Sequence, residues 1–268
     1  MNINNDFLSS FLNNTTDLKK LNSTFNEGNP FKFLVIDNFL PPKLAKTIYS
    51  NFPSLDSMKI KYKGLNEYKA EDSSFEKFPP EFQQLKIFFQ SEEFNEWICK
   101  VTGINNLYSI DDRLGTGLHQ GGNKSFLDIH VDYNIHPIKK MHRKLNMIIF
   151  FNYEWQQNWG GQLELWDKDK MECFVKVEPI FNRMALFECN DISYHGYSQI
   201  NCPESVTRKS YYHYFFLPVP DGIKYHDTIF LPRPSDSLSK KTVTRVKEYC
   251  KNKAKLILYK MGYTKFLE

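Results

Sequence analysis

The residues from Phe126 to Asp132 constrain the fold of this chain more than any other stretch. Apolar and polar side chains alternate along it: the apolar ones are Leu127, Ile129 and Val131, and the polar ones are Asp128, His130 and Asp132. Because successive side chains of a strand point to opposite faces, the pattern predicts a strand with one apolar and one polar face. The polar face presents an imidazole and a carboxylate, two of the three ligands of a 2-His-1-carboxylate metal site.

A third ligand must come from a distant strand that lies beside the first one. His195 is the best candidate, because it follows the apolar segment Met184–Phe187 and precedes Gly196. A residue without a side chain at position 196 would let the backbone approach the metal closely. The alternative is a histidine of a surface loop near a turn.

A second alternating stretch runs from Thr207 to Phe216. It places four side chains on one face, namely Arg208, Ser210, Tyr212 and Tyr214. An arginine and a hydroxyl two residues apart can bind one carboxylate together. A buried arginine also needs a counter-charge, which an anionic ligand would supply. The alternative is an edge-strand arginine whose guanidinium reaches solvent.

The rest of the pattern predicts a mainly β protein with helices at both ends. Aromatic residues make up 16% of the chain, and they favour pleated sheets. We expect strands over 31–39, 107–112, 125–132, 144–152, 162–166, 172–178, 183–188 and 206–217, and helices over 44–51, 81–90, 91–103 and 239–261. Residues 52–80 are turn-rich and charged, which predicts an irregular segment. Helices bunched before many short strands are typical of an α+β fold with a jelly roll.

Three segments are expected along the chain. Residues 1–30 form a polar N-terminal segment in which residues 7–12 could make a short helix, residues 31–220 form the β domain, and residues 221–268 form an arm and a basic helix. From residue 239 onward there are nine Lys and Arg against two Glu. We expect that helix to pack on the domain through Val243, Val246, Cys250 and Leu256, with its lysines in solvent. Contact with an acidic surface is the alternative.

Composition limits the class of protein. Hydrophobic residues make up 41% of the 268 residues, which allows a sizeable core, and a net charge of +4 gives no argument for nucleic acid binding. The five cysteines are scattered without a Cys-x-x-Cys pair, which indicates free thiols in a reducing compartment. The first twenty residues lack the apolar core of a signal peptide, and we found no membrane-length apolar run. We therefore expect a cytoplasmic protein.

Together these motifs resemble the Fe(II)/2-oxoglutarate-dependent dioxygenases, specifically their prolyl-4-hydroxylase-like branch. The resemblance spans about residues 31–218. It is carried, in this order, by Phe126–Asp132, the strand 143–155 with Asn152, Trp159-Gly160-Gly161-Gln162-Leu163, Ser193–Gly196 and Arg208–Ser210. It implies a distorted double-stranded β-helix, a jelly roll, which agrees with the predicted strands.

The resemblance also implies a site. His130, Asp132 and His195 would hold Fe(II), 2-oxoglutarate would chelate the iron, and Arg208 with Ser210 would bind its far carboxylate. O₂ would take the last position on the metal, and ascorbate would support turnover. The implied reaction couples oxidative decarboxylation of 2-oxoglutarate to succinate with C–H hydroxylation of a substrate.

The sequence departs from the family pattern at two places. Relatives often carry a tyrosine on the central strand for the far carboxylate, whereas this chain has Phe150, and Asn146 is the candidate substitute. The tyrosine that relatives use near the C1 carboxylate corresponds to His119 or Gln120. Asp128 could support the site or lie in solvent. Candidates for the substrate mouth are Tyr133, His136 and Trp166.

The substrate implied by family analogy is a prolyl residue in a protein or peptide. A free amino acid, a sugar or another small metabolite is the alternative within the same reaction class. A catalytically inactive jelly-roll binding module is a second class, although the complete ligand set argues against it. A nucleic-acid-acting enzyme that uses the basic C-terminal helix is a third, which the mild net charge disfavours.

Overall fold

The computed structural model describes residues 17–263, which contain five α-helices and thirteen strands. The helices are α1 Leu18–Asn26, α2 Pro42–Ser50, α3 Pro80–Phe89, α4 Glu92–Thr102 and α5 Leu238–Lys260. The strands are β1 Phe33–Ile36, β2 Ile60–Lys63, β3 Glu67–Asp72, β4 Tyr108–Ser109, β5 Thr116–Gly121, β6 Phe126–Val131, β7 Met141–Phe150, β8 Leu163–Asp167, β9 Glu172–Val177, β10 Arg183–Glu188, β11 Tyr194–Tyr197, β12 Arg208–Pro218 and β13 Ile229–Phe230. The short helix expected over residues 7–12 lies outside the described residues.

The strands form one antiparallel sheet that supplies both layers of a jelly roll, so the predicted fold class is confirmed. The strand order is β1-β10-β7-β12-β5-β3-β6-β11-β8-β9, with β13 paired to β6, β2 to β3 and β4 to β12. One layer consists of β10, β7, β12 and β5, and the other consists of β6, β11, β8 and β9. Strand β3 connects the layers, because it is hydrogen-bonded to both β5 and β6.

The helices cover the outer face of the first layer. Phe82, Phe89, Phe94 and Trp97 of α3 and α4 belong to the same buried cluster as the outward side chains of β7 and β12, such as Tyr211. Helix α4 begins and ends as its sequence predicts: the Ser91 hydroxyl accepts from the Phe94 amide at 3.2 Å, and Gly103 adopts a left-handed φ of 74°. With one face of β12 committed to this core, its opposite face, which carries Arg208, faces inward.

The prediction that residues 52–80 are irregular is wrong. They contain β2 and β3, and β3 lies in the interior of the strand order. The hydrophobic signal is missing because the charged side chains Glu67, Lys69 and Glu71 point into a cavity instead of a core. Strand β5 was not predicted either, because it contains a glycine, Gly117, which weakens the sequence pattern of a strand. The glycine is needed there, since a Cβ would lie 2.5 Å from the Tyr212 hydroxyl. The strand expected over 107–112 shrinks to Tyr108–Ser109.

The expected contact face of the C-terminal helix is wrong as well. Helix α5 buries Thr244 and Glu248, whereas Val243 and Val246 are 54% and 59% exposed. The helix packs through a polar face because its partners on the domain are hydrogen-bonding groups. Within residues 17–263, none of the helices combines the length and apolar character that a membrane span requires.

Candidate active site

Three side chains from two neighbouring strands converge inside the jelly roll. His130 lies on β6, Asp132 follows that strand directly, and His195 lies on β11, where it is the register partner of His130. Their ligand atoms all lie within 4.8 Å of one another. Nε2 of His130 is 3.7 Å from Asp132 Oδ1, and Nε2 of His195 is 3.8 Å from Asp132 Oδ2. Two imidazoles and one carboxylate thus face one point.

Both imidazoles are held by the main chain. Nδ1 of His130 lies 3.0 Å from the carbonyl oxygen of Asp128, and Nδ1 of His195 lies 3.0 Å from that of Ser193. Because a carbonyl can only accept, each Nδ1 carries the proton and each Nε2 presents its lone pair to the shared centre. Burial, together with the neighbouring His130, lowers the pKa of His195 to about 4, so that this imidazole is neutral at physiological pH.

Gly196 serves the packing of the two strands. A Cβ at this position would lie 2.6 Å from the carbonyl oxygen of Leu127 and 2.8 Å from that of Asp128. The glycine is therefore required for β11 to approach β6, which brings His195 beside His130. The sequence-based interpretation, in which Gly196 lets the backbone approach a metal, is replaced by this contact.

The carboxylate of Asp132 is fixed by a buried arginine. Nη1 of Arg143 lies 3.2 Å from Asp132 Oδ2, and Nδ2 of Asn146 donates to the same oxygen at 3.4 Å. The guanidinium lies between the rings of Tyr133 and Tyr214, 3.6 and 3.7 Å from their centroids. Burial alone would raise the pKa of Asp132, but Arg143 and the two histidines hold it well below its usual range. One carboxylate and two imidazoles that face one point form the ligand set of a divalent transition-metal site.

Arg208 lies in the same cavity without a counter-charge. It is 3% exposed, and no carboxylate of residues 17–263 lies within 4.0 Å of its guanidinium. Its Nε donates to the carbonyl oxygen of Gly161 at 2.7 Å, and its guanidinium carbon lies 4.9 Å from the ring centroid of Phe150 and 4.5 Å from that of Tyr197. Burial lowers the pKa of Arg208 to about 10. A buried, charged and unpaired arginine fits an anionic ligand.

Buried polar atoms without partners surround this arginine. The Tyr197 hydroxyl and His119 Nε2 are buried and have no hydrogen-bond partner among the described residues. Asn146, the candidate substitute at Phe150, instead lies against Asp132, because its register partner on β12 is Tyr214 and not Ser210. Ser210 Oγ makes only a long contact of 3.5 Å with the carbonyl oxygen of His119. Buried polar groups are nearly always hydrogen-bonded. These unsatisfied groups therefore fit a polar ligand that lies against Arg208.

The structure also distinguishes between His119 and Gln120. His119 lines the cavity, whereas the Gln120 side chain lies on the other face of β5 and donates to Thr207 Oγ1 at 2.8 Å. Sequence reasoning missed Tyr197, although its position two residues after His195 predicts that both side chains share one face of β11. It also assigned no role to Arg143. A lone arginine at the start of an apolar strand gives no such signal.

Of the three residues proposed for the substrate mouth, only Tyr133 lines the cavity, beside Arg143. His136 is fully buried away from it, 2.9 Å from Asp112 Oδ2, and its Nδ1 accepts from two backbone amides of the following turn. Trp166 also points away, and its indole donates to Glu164 Oε2 at 3.1 Å. Placing His136 and Trp166 at the mouth was therefore wrong, since the fold turns both away.

The cavity has a volume of about 400 Å³ and contains the convergent histidines, Asp132 and Arg208. That size is typical of small-molecule sites. Its wall includes charged side chains of β3 and, unexpectedly, three lysines of α5, namely Lys247, Lys251 and Lys255.

The chain is similar in sequence to known proteins. Residues 116–216 match the family model of the 2OG-Fe(II) oxygenase superfamily. Over 196 residues the chain is 26% identical to prolyl 3-hydroxylase OGFOD1 of Mus musculus, an alignment that covers 71% of this chain and 33% of that protein. The chain therefore spans about a third of the length of this relative.

Two solved structures share the fold. An oxidoreductase of the 2OG-Fe(II) oxygenase family from Burkholderia pseudomallei has a TM-score of 0.51 at 11% identity. The match covers 77% of this chain and 92% of the chain of that protein. The non-heme alpha ketoglutarate dependent carbocyclase SnoK from nogalamycin biosynthesis has a TM-score of 0.53 at 12% identity. The match covers 87% of this chain and 92% of the SnoK chain. At these identities the likeness concerns the fold alone.

Proposed function

We propose that this chain, whose residues 116–216 match the family model of the 2OG-Fe(II) oxygenase superfamily, is an Fe(II)- and 2-oxoglutarate-dependent hydroxylase that acts on a prolyl residue of a protein or peptide. The observation that carries the proposal is one cavity that contains both the convergent His130, Asp132 and His195 and the unpaired Arg208. A metal triad alone fits many functions, but a triad facing a buried anion site fits a metal enzyme with an anionic co-substrate.

The three convergent side chains would hold Fe(II). When bound, iron and 2-oxoglutarate supply oxygen activation and the oxidative decarboxylation that yields succinate. The chain itself orients the ligands: main-chain carbonyls fix both imidazoles, and Arg143 keeps Asp132 ionised and in position. Outer contacts of this kind raise metal affinity because the ligand atoms need no reorganisation before binding.

The far carboxylate of 2-oxoglutarate would bind Arg208. Tyr197 supports this assignment, because its unpartnered hydroxyl lies on the ring that packs against the Arg208 guanidinium. It would supply the hydroxyl that Phe150 lacks, and Ser210 would assist from the same face of β12. A charge-assisted contact in a buried pocket is stronger than the same contact in water.

The prolyl substrate and a cytoplasmic location are the finer parts of the proposal. The first is supported by the likeness to a prolyl 3-hydroxylase, which extends over most of this chain but only a third of that relative. The second is supported by the five cysteines, which are all unpaired in the described part of the chain, as expected in a reducing compartment.

The test is turnover of the intact protein with Fe(II), ascorbate, 2-oxoglutarate and a panel of proline-containing peptides. We expect succinate formation that depends on the peptide, together with gain of one oxygen atom by a prolyl residue in its mass spectrum. Asp132→Ala should abolish both signals. Peptide-independent succinate formation, with oxygen gained instead by a free amino acid or sugar, would contradict the prolyl assignment. Absence of any iron-dependent turnover would contradict the enzyme assignment.

A further inference from the structure

Helix α5 is held against the catalytic sheet by polar contacts. Thr244 Oγ1 accepts from Nδ2 of Asn66 at 3.0 Å, and Glu248 Oε2 accepts from the backbone amide of Phe230 at 3.0 Å. Phe230 lies on β13, where it is the register partner of His130. The contact therefore connects the helix directly to the strand that carries a proposed metal ligand.

A buried ionic cluster fixes the beginning of the helix. Lys240 Nζ lies 2.8 Å from Asp128 Oδ2, and Arg233 lies 3.5 Å from Asp128 Oδ1 and 2.6 Å from Glu164 Oε2. Asp128 and Glu164 are 1% and 3% exposed, so Asp128 is not in solvent. Breaking a buried ion pair is strongly destabilising. The face that α5 presents to the cavity is therefore fixed.

That face carries three lysines at four-residue spacing, Lys247, Lys251 and Lys255, which we call the lysine row. Side chains four apart lie on the same side of a helix, and all three line the cavity. Lys251 and Lys255 lie 3.6 and 2.9 Å from Asp227 Oδ2, and Lys251 also lies 2.6 Å from Glu248. Lys247 only donates to Asn66 Oδ1 at 3.3 Å, with no carboxylate of residues 17–263 within 4.0 Å.

The remaining lining of the cavity has an excess of positive charge. Beyond the metal triad and the Asp132–Arg143 and Arg208 sites, its lining contains five cations, Lys69, Arg113, Lys247, Lys251 and Lys255, and three anions, Glu67, Glu71 and Asp227. Lys69 is paired with both glutamates of β3. Arg113, like Lys247, has no carboxylate within 4.0 Å in the described part of the chain. Two unpaired cations, Arg113 and Lys247, therefore remain in the lining, and a cleft of one sign concentrates ligands of the other.

We propose that the lysine row is a substrate-specificity element and that the substrate is an acidic peptide segment, with carboxylates close to the residue that is hydroxylated. The inference rests on the proposed function and adds its substrate class. Lys247 makes the primary contact, because it reaches the cavity without a carboxylate of its own. Helix α5 is thus a wall of the active site, and its basic composition serves recognition.

The test compares three fluorescent peptides that differ only beside a central proline, where they carry Glu, Gln or Lys. Their affinities for the full chain with Mn(II) and 2-oxoglutarate are measured by anisotropy under anaerobic conditions. The Glu peptide should bind about fivefold tighter than the Gln peptide, as expected for one partly exposed ion pair. The difference should vanish at about 1 M salt, where the Debye length is about 3 Å.

Lys247→Glu should abolish the preference for the Glu peptide and favour the Lys peptide. The matched control is Lys253→Glu, which makes the same charge change on the same helix at an exposed position outside this cavity, and it should retain the preference. Equal binding of all three peptides, or a preference that survives Lys247→Glu, would overturn the inference.

Binding requires no turnover, so the two proposals fail separately. Lys247-dependent binding of the Glu peptide without prolyl hydroxylation would support the lysine row and refute the prolyl hydroxylase. Hydroxylation of the Glu and Lys peptides at equal KM would support the prolyl hydroxylase and refute the lysine row.

Discussion

Replacing Arg208 by methionine should make the ligand-free protein more stable and abolish its response to 2-oxoglutarate. Arg208 is 3% exposed and lacks a counter-ion among the described residues. Burial lowers its pKa from 12.5 to about 10, so at pH 7 the folded state carries a charge that it disfavours. That difference corresponds to about 3 kcal/mol of destabilisation.

The gain is partly offset by a lost contact. Arg208→Met removes the charge and keeps the unbranched stem, but it also removes the hydrogen bond to the Gly161 carbonyl, which contributes about 1.5 kcal/mol. We therefore expect a net gain of roughly 1 to 2 kcal/mol. For a chain of this size that is a rise of roughly 2 to 4 °C in Tm.

Co-substrate should reverse the order of stability. At a 2-oxoglutarate concentration of about 100 times Kd, the wild-type protein with Mn(II) gains about 2.7 kcal/mol. The variant should gain almost nothing, because the anion has lost its cation. Thermal and urea unfolding with and without 2-oxoglutarate measure all four states.

A matched control is Arg183→Met. Arg183 is half-buried and paired with Asp37, whose Oδ2 lies 2.9 Å from its Nη2. This variant should lose stability by less than about 1 kcal/mol and retain the full 2-oxoglutarate response. An Arg208→Met protein that is less stable than wild type without ligand, or that is still stabilised by 2-oxoglutarate, would refute the reasoning.

Three further changes have defined outcomes. Asp132→Ala should abolish Fe(II) binding in a metal titration and lower the free energy of unfolding by about 3 kcal/mol, because Arg143 is left buried without its carboxylate; normal metal binding would contradict the site. Tyr197→Phe should raise the KM for 2-oxoglutarate about fivefold with unchanged Tm, since its hydroxyl has no partner among residues 17–263; an unchanged KM would exclude that contact. Burial lowers the pKa of His213 to about 3, so only the unfolded chain takes up this proton between about pH 6.5 and 3, and stability falls as the pH falls. Between pH 7 and about pH 5, the free energy of unfolding of His213→Gln should therefore fall by about 2 kcal/mol less than that of the wild type, as measured by urea unfolding. An equal fall in both proteins would contradict this expectation.

The parts of the fold that could be predicted from sequence are those where the two faces of a strand differ in polarity. Strands β6 and β12 alternate apolar and polar residues, and the cavity is lined by His130 of β6 and by the face of β12 that carries Arg208. Strand β3 has no apolar face to detect, because Glu67, Lys69 and Glu71 point to the cavity while Tyr68 on the other face is 38% exposed. Its pairing with β5 and β6 depends on tertiary contacts.

Residues of the site could be predicted from sequence only where the directions of their side chains were clear. Tyr197 shares the face of His195 and could have been found by parity along β11, but the sequence does not mark where that strand begins. Helix α5 shows a different limit. Apolar residues normally identify the buried face of a helix, yet α5 is attached by Thr244 and Glu248, whose partners are donors of Asn66 and Phe230.

The proposed function requires that iron and co-substrate bind together in one cavity. The decisive measurement is an anaerobic calorimetric titration of the intact protein with Fe(II) and with 2-oxoglutarate, each alone and each in the presence of the other. We predict one Fe(II) per chain, tighter 2-oxoglutarate binding when Fe(II) is present, and loss of Fe(II) binding in His195→Ala. Fe(II) binding that survives this substitution, or 2-oxoglutarate binding that is indifferent to the metal, would contradict the account.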